Sequence, residues 1–293
     1  MQKYDQENPK LINSMVCTID ILGFSQMIVD SCSKGYGNKL LNEISSLINK
    51  NKQCIIPNKY SQGKIKIYTD NMIVGYPIKD DGEEELDEIL DNVSEYQFNL
   101  ALEGLFVRGG VSVGEFYINE DIVFGPALLD AHNTESNLAC YPRIVLDDKT
   151  VGRLQKYINN YDDVAPQHKK ILIGSDGQWF LNYLNTIFKY YTECNNEYEF
   201  EKVQIELLMR HKAKIEEMLS LSKKNIRTWD KYVWTANYHN YFCDLHFPKE
   251  KQLRISRKSL LAWPRENKIY LYYLNKCLVI MLKLCYYKKV AKS

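Results

Sequence analysis

The chain has 293 residues, of which 45% are apolar and 26% charged, with a formal net charge of +1. That length fits one large domain or a core domain with an appendage. The composition is that of an ordinary soluble protein, and the near-neutral total removes any global electrostatic argument for nucleic acid. The charge is unevenly placed. Residues 80–107 hold ten acids and no Lys or Arg, which reads as the solvated face of a helix, whereas residues 251–293 hold eleven Lys or Arg against one Glu. Eight cysteines fall singly without a C-x-x-C pair, and five scattered histidines make no H-E-x-x-H. Free thiols in a reducing cytoplasm are expected, not a zinc site. The N-terminus lacks a signal-peptide core, and Asn275, Lys276 and Lys283 interrupt the apolar run Ile269 to Tyr287. A cytoplasmic protein with no membrane insertion is expected.

In chain order, residues 15–21 (MVCTIDI) predict a buried strand. A Gly23 turn leads into a helix from Phe24, loosened over Ser31–Gly37 and continued through Leu40, Leu41, Ile44, Leu47 and Ile48. Pro57 to Gly63 predicts a loop, Ile65 to Tyr68 a strand, and Met72 to Tyr76 its hairpin partner. Leu86, Ile89, Leu90, Val93, Phe98 and Leu102 line one side of a helix that Gly104 ends. Residues 105–113 and 115–124 predict two strands joined near Gly114 or Asn119. Pro126 opens a helix to about Leu138, and Arg143 to Leu146 is a further strand. Ile171–Ile173 and Gln178–Tyr183 suggest edge strands, and Tyr198–Ser222 and Arg227–Phe242 suggest long helices that cover the sheet or form a dimer surface. The expected fold is α+β, an antiparallel sheet with helices on one face and a C-terminal helical extension.

Two segments carry the chemistry. The apolar run of residues 15–21 contains Asp20, and Ile65 to Tyr68 is followed by Asp70. An Asp between Ile19 and Ile21 is expensive to bury unless paired or bound to metal, although it also suits a helix cap, and Asp70 also suits a turn. On neighbouring strands the two carboxylates meet, and Mg²⁺ often takes one or two carboxylates plus substrate phosphates. The Ile21 carbonyl adds a further oxygen. Backbone N–H groups of Leu22, Gly23, Phe24 and Ser25 at a helix start can cradle anionic oxygens. Arg108, in an apolar strand beside Gly109-Gly110, is either a strand-end cation reaching solvent or a bidentate phosphate ligand.

With Asp20-Ile21-Leu22-Gly23-Phe24-Ser25, the strand leading to Asp70, Arg108-Gly109-Gly110-Val111-Ser112-Val113-Gly114 and Phe124-Gly125 to Glu135-Ser136 in this order, residues 14–147 resemble the catalytic domain of class III nucleotidyl cyclases. The resemblance implies a ferredoxin-like core. Asp20 and Asp70 then bind two Mg²⁺ or Mn²⁺ ions, Arg108 contacts the triphosphate, and the ribose 3′-hydroxyl attacks the α-phosphorus and expels pyrophosphate. It also implies a homodimer with shared active sites. Lys66 falls where purine cyclases carry a base-reading lysine, and their paired acid falls at Ile122. The family's transition-state Asn and Arg fall at Leu129 and Asn133, so neither type is kept. Asn133 can donate a hydrogen bond but cannot replace an arginine's charge.

The pattern Asp-Ile-Leu-Gly-Phe, Tyr-x-Asp, Phe-x-Arg-Gly-Gly-x-Ser-x-Gly and Phe-Gly-Pro-Ala-Leu looks most like the bacterial pyrimidine cyclases of the Pycsar anti-phage system. These make cyclic UMP or cyclic CMP, which activates a separate effector through the product only. Tyr68 is the bulky side chain suited to narrowing a base pocket, or a sheet-packing tyrosine. The resemblance assigns residues 1–150 to the catalytic domain, 151–250 to edge strands and a helical extension, and 251–293 to a basic, aromatic-rich tail. Competing readings are an adenylate or guanylate cyclase and a degenerate nucleotide-binding or interaction module. A GGDEF-like transferase lacks support because no acids follow Gly109-Gly110. The basic tail gives weak support for nucleic acid; lysine-rich ends are more often solvated, and no nucleic-acid partner is expected.

Overall fold

β1 (Ile12–Ile21) is the pivot of the sheet. Met15, Cys17, Ile19 and Ile21 point into the main core, while Val16 belongs to a smaller cluster on the opposite face. Burial on both faces explains why this strand reads as a near-continuous apolar run. The structure, a computed structural model, describes residues 3–55, 62–161, 165, 167–193, 197–256 and 260. Most of the basic tail, the run Ile269–Tyr287, most of the Pro57–Gly63 loop, and Cys194, Cys277 and Cys285 lie outside them. The described cysteines 17, 32, 54, 140 and 243 are free thiols.

After β1 come α1 (Phe24–Ser33) and α2 (Gly37–Ile55), parted where Gly35 takes φ +77°. β2 (Lys64–Tyr68) and β3 (Asn71–Pro77) form the expected hairpin. α3 (Glu83–Leu102) ends at Gly104 (φ +86°), where the Leu105 N–H reaches back to the Leu100 carbonyl at 3.0 Å. That is the left-handed close a glycine permits. The helix bridges two apolar clusters: Leu86, Ile89, Leu90 and Val93 face the main core, and Phe98, Ala101 and Leu102 face a second, C-terminal one. Its acidic side is not simply solvated. Glu85 is 1% exposed, and Lys170 and Lys189 cover Asp87, Asp91 and Glu95 with ion pairs of 3.1–3.7 Å.

β4 (Val107–Ile118) is one strand of 12 residues. Of the two expected joints, Gly114 and Asn119, the second holds: the turn lies at Asn119–Ile122, and only β5 (Val123–Phe124) follows it. Gly114 stays within the strand. It faces Ala127 of α4 (Pro126–Leu138), whose Cβ lies 3.5 Å from where an added methyl would sit, an ordinary contact. α4 lies on the face of the sheet opposite the main core, packed against Val16 and Phe116. Helices thus cover both faces, not one.

β6 (Ile144–Leu146) runs parallel to β4, so the sheet is mixed where an antiparallel one was expected. The crossover through α4 places it there. Next comes α5 (Asp148–Tyr161), which the sequence reading left unassigned. α6 (Gln167–Lys170), β7 (Ile171–Ile173) and β8 (Trp179–Leu181) complete an eight-stranded sheet of order β2-β3-β1-β4-β6-β8-β7, with β5 beside β4. A 3-10 segment (Tyr183–Glu193) leads to α7 (Glu197–Leu221) and α8 (Ile226–His246). These two helices build the second cluster around Trp229, Phe242 and Leu208. No helix among the described residues is long and apolar enough to cross a membrane.

Two histidines read as isolated in sequence meet inside this lobe. His239 Nε2 lies 2.9 Å from the Leu253 carbonyl, His211 Nδ1 lies 2.9 Å from His239 Nδ1, and His211 Nε2 lies 3.0 Å from the Tyr183 hydroxyl. A carbonyl only accepts, so His239 donates from Nε2 and accepts at Nδ1. His211 donates from Nδ1, and Tyr183 donates to its Nε2. With both rings neutral, the state that burial favours, this chain of bonds closes. Burial holds His211 well below the usual histidine range and pushes His239 down to about 4. Each therefore contributes stability that is present above pH 6.5 and lost as pH falls below it. Between pH 7 and 5 the charging of His239 is expected to cost about 2 kcal/mol. Urea melts of wild type and His239→Gln, whose amide can still donate and accept, should differ by that amount in their acid sensitivity.

Candidate active site

The strand register builds the site in rows. Tyr68 pairs with Asn71, Asn71 with Asp20, and Asp20 with Arg108, across β2, β3, β1 and β4. Residues paired across a ladder share a face, so Tyr68, Asp20 and Arg108 look out on the same side. The next row on that face is Lys66, Ile73, Thr18 and Gly110. Asp70 enters at the β2–β3 turn, where Thr69 takes φ +49°. The Ile21 N–H donates to the Asp70 carbonyl at 3.3 Å, tying the turn to the end of β1. The Asp70 carboxylate accepts from the Thr69 hydroxyl (2.7 Å) and the Asn71 amide (3.3 Å). Asp70 is near enough to act on Asp20: burial holds Asp20 above the usual carboxylate range, Arg108 opposes that shift, and the Asp70 charge adds to it.

Arg108 Nε donates to Asp20 Oδ2 at 2.8 Å, and its Nη2 lies 3.2 Å from Glu135 Oε1. Glu135 projects from the buried side of α4 and is only 2% exposed. His132 Nδ1 sits 3.3 Å from its second oxygen. Burial raises the Glu135 pKa, Arg108 opposes the rise, and the charge of Asp20 adds to it. Arg108 is thus a fixed cation clamped from both sides, not a strand-end side chain free in solvent. Sequence reasoning missed Glu135 as a site residue. The signal was present: it falls in helical spacing with the buried Ala127 and Ala131, and an acid on an apolar helix face needs a partner.

The backbone cradle is one donor shorter than expected, because the Leu22 N–H is spent on the Phe106 carbonyl at 2.9 Å. Gly23, at φ +75°, caps α1 without a side-chain bond, so the first-turn N–H groups of Phe24 and Ser25 have no acceptor within the helix. The Ile21 side chain is in the core, leaving only its backbone to serve the site. Among the described residues no group of three His, Cys, Asp or Glu has the arrangement of a metal site. Two neighbouring carboxylates at the end of the sheet, Asp20 partly buried, nevertheless fit a hard dication whose shell is completed by phosphate and water.

On the edge strand β2, Lys66 Nζ donates to the Glu120 carbonyl at 2.5 Å and lies 5.2 Å from the centre of the Tyr68 ring. This joins Lys66 and Tyr68 to the turn that carries Ile122. Leu129 and Asn133 are on the outward side of α4, exposed. The structure therefore brings Asp20, Asp70, Arg108, Lys66 and Tyr68 together and leaves Asn133 outside the cluster.

A second residue that the sequence reading did not single out comes from the far end of the chain. The half-buried Lys231 of α8 is held below the usual lysine range by burial and then by the charge of Arg108, with Asp20 opposing. The buried Arg143 is structural. It pairs with Asp176 and the Leu138 carbonyl, and its guanidinium lies 5.4–5.5 Å from the rings of Tyr141, Phe180 and Trp234. No protein-family model matches this chain, and no curated protein matches it in sequence.

Proposed function

We propose that this chain is a nucleotidyl cyclase of the class III kind that converts a pyrimidine nucleoside triphosphate, UTP or CTP, to its 3′,5′-cyclic monophosphate and pyrophosphate. The observation that carries the reading is the meeting of Asp20, Asp70 and Arg108 at one end of the sheet face. The β2-β3-β1-β4 order of a ferredoxin-like core supports it. Asp20 and Asp70 would hold two Mg²⁺ or Mn²⁺ ions, with the Ile21 carbonyl as a further oxygen donor. Bound there, the ions supply the charge that activates a hydroxyl and neutralises a triphosphate. The protein's own part is positioning. Arg108, steadied by Glu135, takes phosphate oxygens, and the N–H groups from Gly23 to Ser25 cradle others. The 3′-oxygen then attacks the α-phosphorus in line and pyrophosphate leaves.

Lys66 and Tyr68 would face the base, Tyr68 narrowing the pocket toward a pyrimidine, with Ile122 at its rim. Resemblance to the Pycsar enzymes makes the product a second messenger for anti-phage defence, read by a separate effector. A homodimer is supported by a run of exposed apolar side chains from β5 into α4: Ile122 (53% exposed), Phe124 (63%) and Leu129 (63%). Phe124→Asp is expected to shift the protein to monomer in size-exclusion chromatography with light scattering, and to cut turnover at least about tenfold. The reading is tested by incubating purified protein with ATP, GTP, CTP and UTP separately, with Mn²⁺, and identifying products by mass. No cyclic product from any of them, even at high protein concentration, would sink it. Binding without turnover would favour a degenerate nucleotide-binding module, the reading that Leu129 and Asn133 support.

A further inference from the structure

We propose that Lys231 is a second triphosphate-binding cation, carried to the Asp20–Arg108 pair by the C-terminal helix α8 of the same chain. The inference rests on the cyclase reading and extends it to a residue outside the segment that resembles a cyclase. α8 is fixed on either side of Lys231. Tyr232 meets Phe106 edge to face at 5.4 Å, and Trp234 stacks on Tyr141 at 5.4 Å with an interplanar angle of 5°. Phe106 immediately precedes β4, and its carbonyl takes the Leu22 N–H at the end of β1. Tyr141 lies between α4 and β6. The turn of α8 that holds Lys231 therefore crosses the end of the sheet where β1 finishes and β4 and β6 begin. That is where Asp20 and Arg108 stand.

Lys231 brings to this spot a cation that no acid among the described residues holds in an ion pair. Among the described residues Lys231 forms no ion pair within 4 Å, whereas Arg108 is engaged by Asp20 and Glu135. Arg108 acts on Lys231 through its charge and Asp20 opposes it, so a multiply charged anion reaching both cations would be held by both. A triphosphate is such an anion, and it would also compensate for dications held by Asp20 and Asp70. A lysine is suited to the part, since its ammonium is a point charge on a flexible stem with three donors, able to follow a leaving pyrophosphate. The apolar lobe behind it, with Trp229 and Tyr232 buried, sets its approach.

The test compares wild type, Lys231→Met and Lys231→Arg in the full chain with Mn²⁺. Calorimetry measures binding of inorganic tripolyphosphate and of 3′-deoxy-UTP, which cannot cyclise, and steady-state kinetics are run on the nucleotide that wild type turns over. Lys231→Met should weaken both ligands about tenfold or more and raise KM, while Lys231→Arg restores binding to within about threefold. Melting curves check folding, and Lys231→Gln replaces Lys231→Met if the latter does not fold. Unchanged binding and KM in Lys231→Met, in a wild type that makes cyclic product, overturns the Lys231 proposal and leaves the cyclase reading standing. Lys231-dependent tripolyphosphate binding in a wild type that makes no product does the reverse. No triphosphate binding by wild type overturns both.

Discussion

Asp70→Ala is expected to lower cyclic-nucleotide production by at least about a hundredfold while leaving the protein folded. The carboxylate sits in a tight turn, and its hydrogen bonds go to Thr69 and Asn71, both exposed. Losing them should change stability by no more than about 0.5–1 kcal/mol. Its electrostatic work is another matter. Asp70 places a second negative charge beside Asp20, and that closeness of like charges is favourable only when a cation joins them. Without Asp70, Asp20 keeps only Arg108 as partner, and the site loses half of its carboxylate pair. Product formation measured by mass, beside a melting curve, checks both halves of this expectation. Turnover within threefold of wild type would mean that Asp70 has no part in the chemistry.

The largest structural effect is expected from Gly110→Ala. An added Cβ would lie 2.1 Å from the Ala131 carbonyl oxygen, 2.8 Å from the Glu135 nitrogen and 2.9 Å from the Thr134 Cβ. Two of these atoms are α4 backbone, so no rotamer change relieves the clash and the helix must move off the sheet. A loss of about 3 kcal/mol or more in urea unfolding follows. Activity should fall with it even below the denaturation midpoint, because α4 carries the Glu135 that grips Arg108. Gly114→Ala is the control. Its nearest contact is 3.5 Å from the Ala127 Cβ, an ordinary distance, and it should cost under about 1 kcal/mol.

These glycines also show where sequence reasoning succeeds and where it slips. Asp20, Asp70 and Arg108 were legible because each closes or opens a short apolar run, and strand ends are set by local pattern. The sequence leaves the joint open between Gly114 and Asn119, because a glycine serves a turn or a strand interior, and only the pairing of β4 decides for Asn119. α5 went unassigned although Val151, Leu154 and Ile158 pack on the main core at helical spacing; the polar residues between them masked the stripe. The His211–His239 pair and Lys231 could not have been read at all. Each depends on how α7 and α8 fold back over the sheet, a tertiary fact that no window of sequence contains.

The parallel joint between β4 and β6 bears on how the molecule can be divided. The sheet runs on past residue 150: β8 pairs with β6 at Val145 and Phe180, and β7 pairs with β8. A chain cut after the stretch that resembles a cyclase would expose the open edge of β6 together with Phe98, Phe106 and Val145, which the C-terminal lobe buries. Such an edge invites pairing with other chains. Residues 1–150 and their helical cover therefore form one continuous sheet and core, and an exchange of the C-terminal lobe would have to carry its own β6 surface with it.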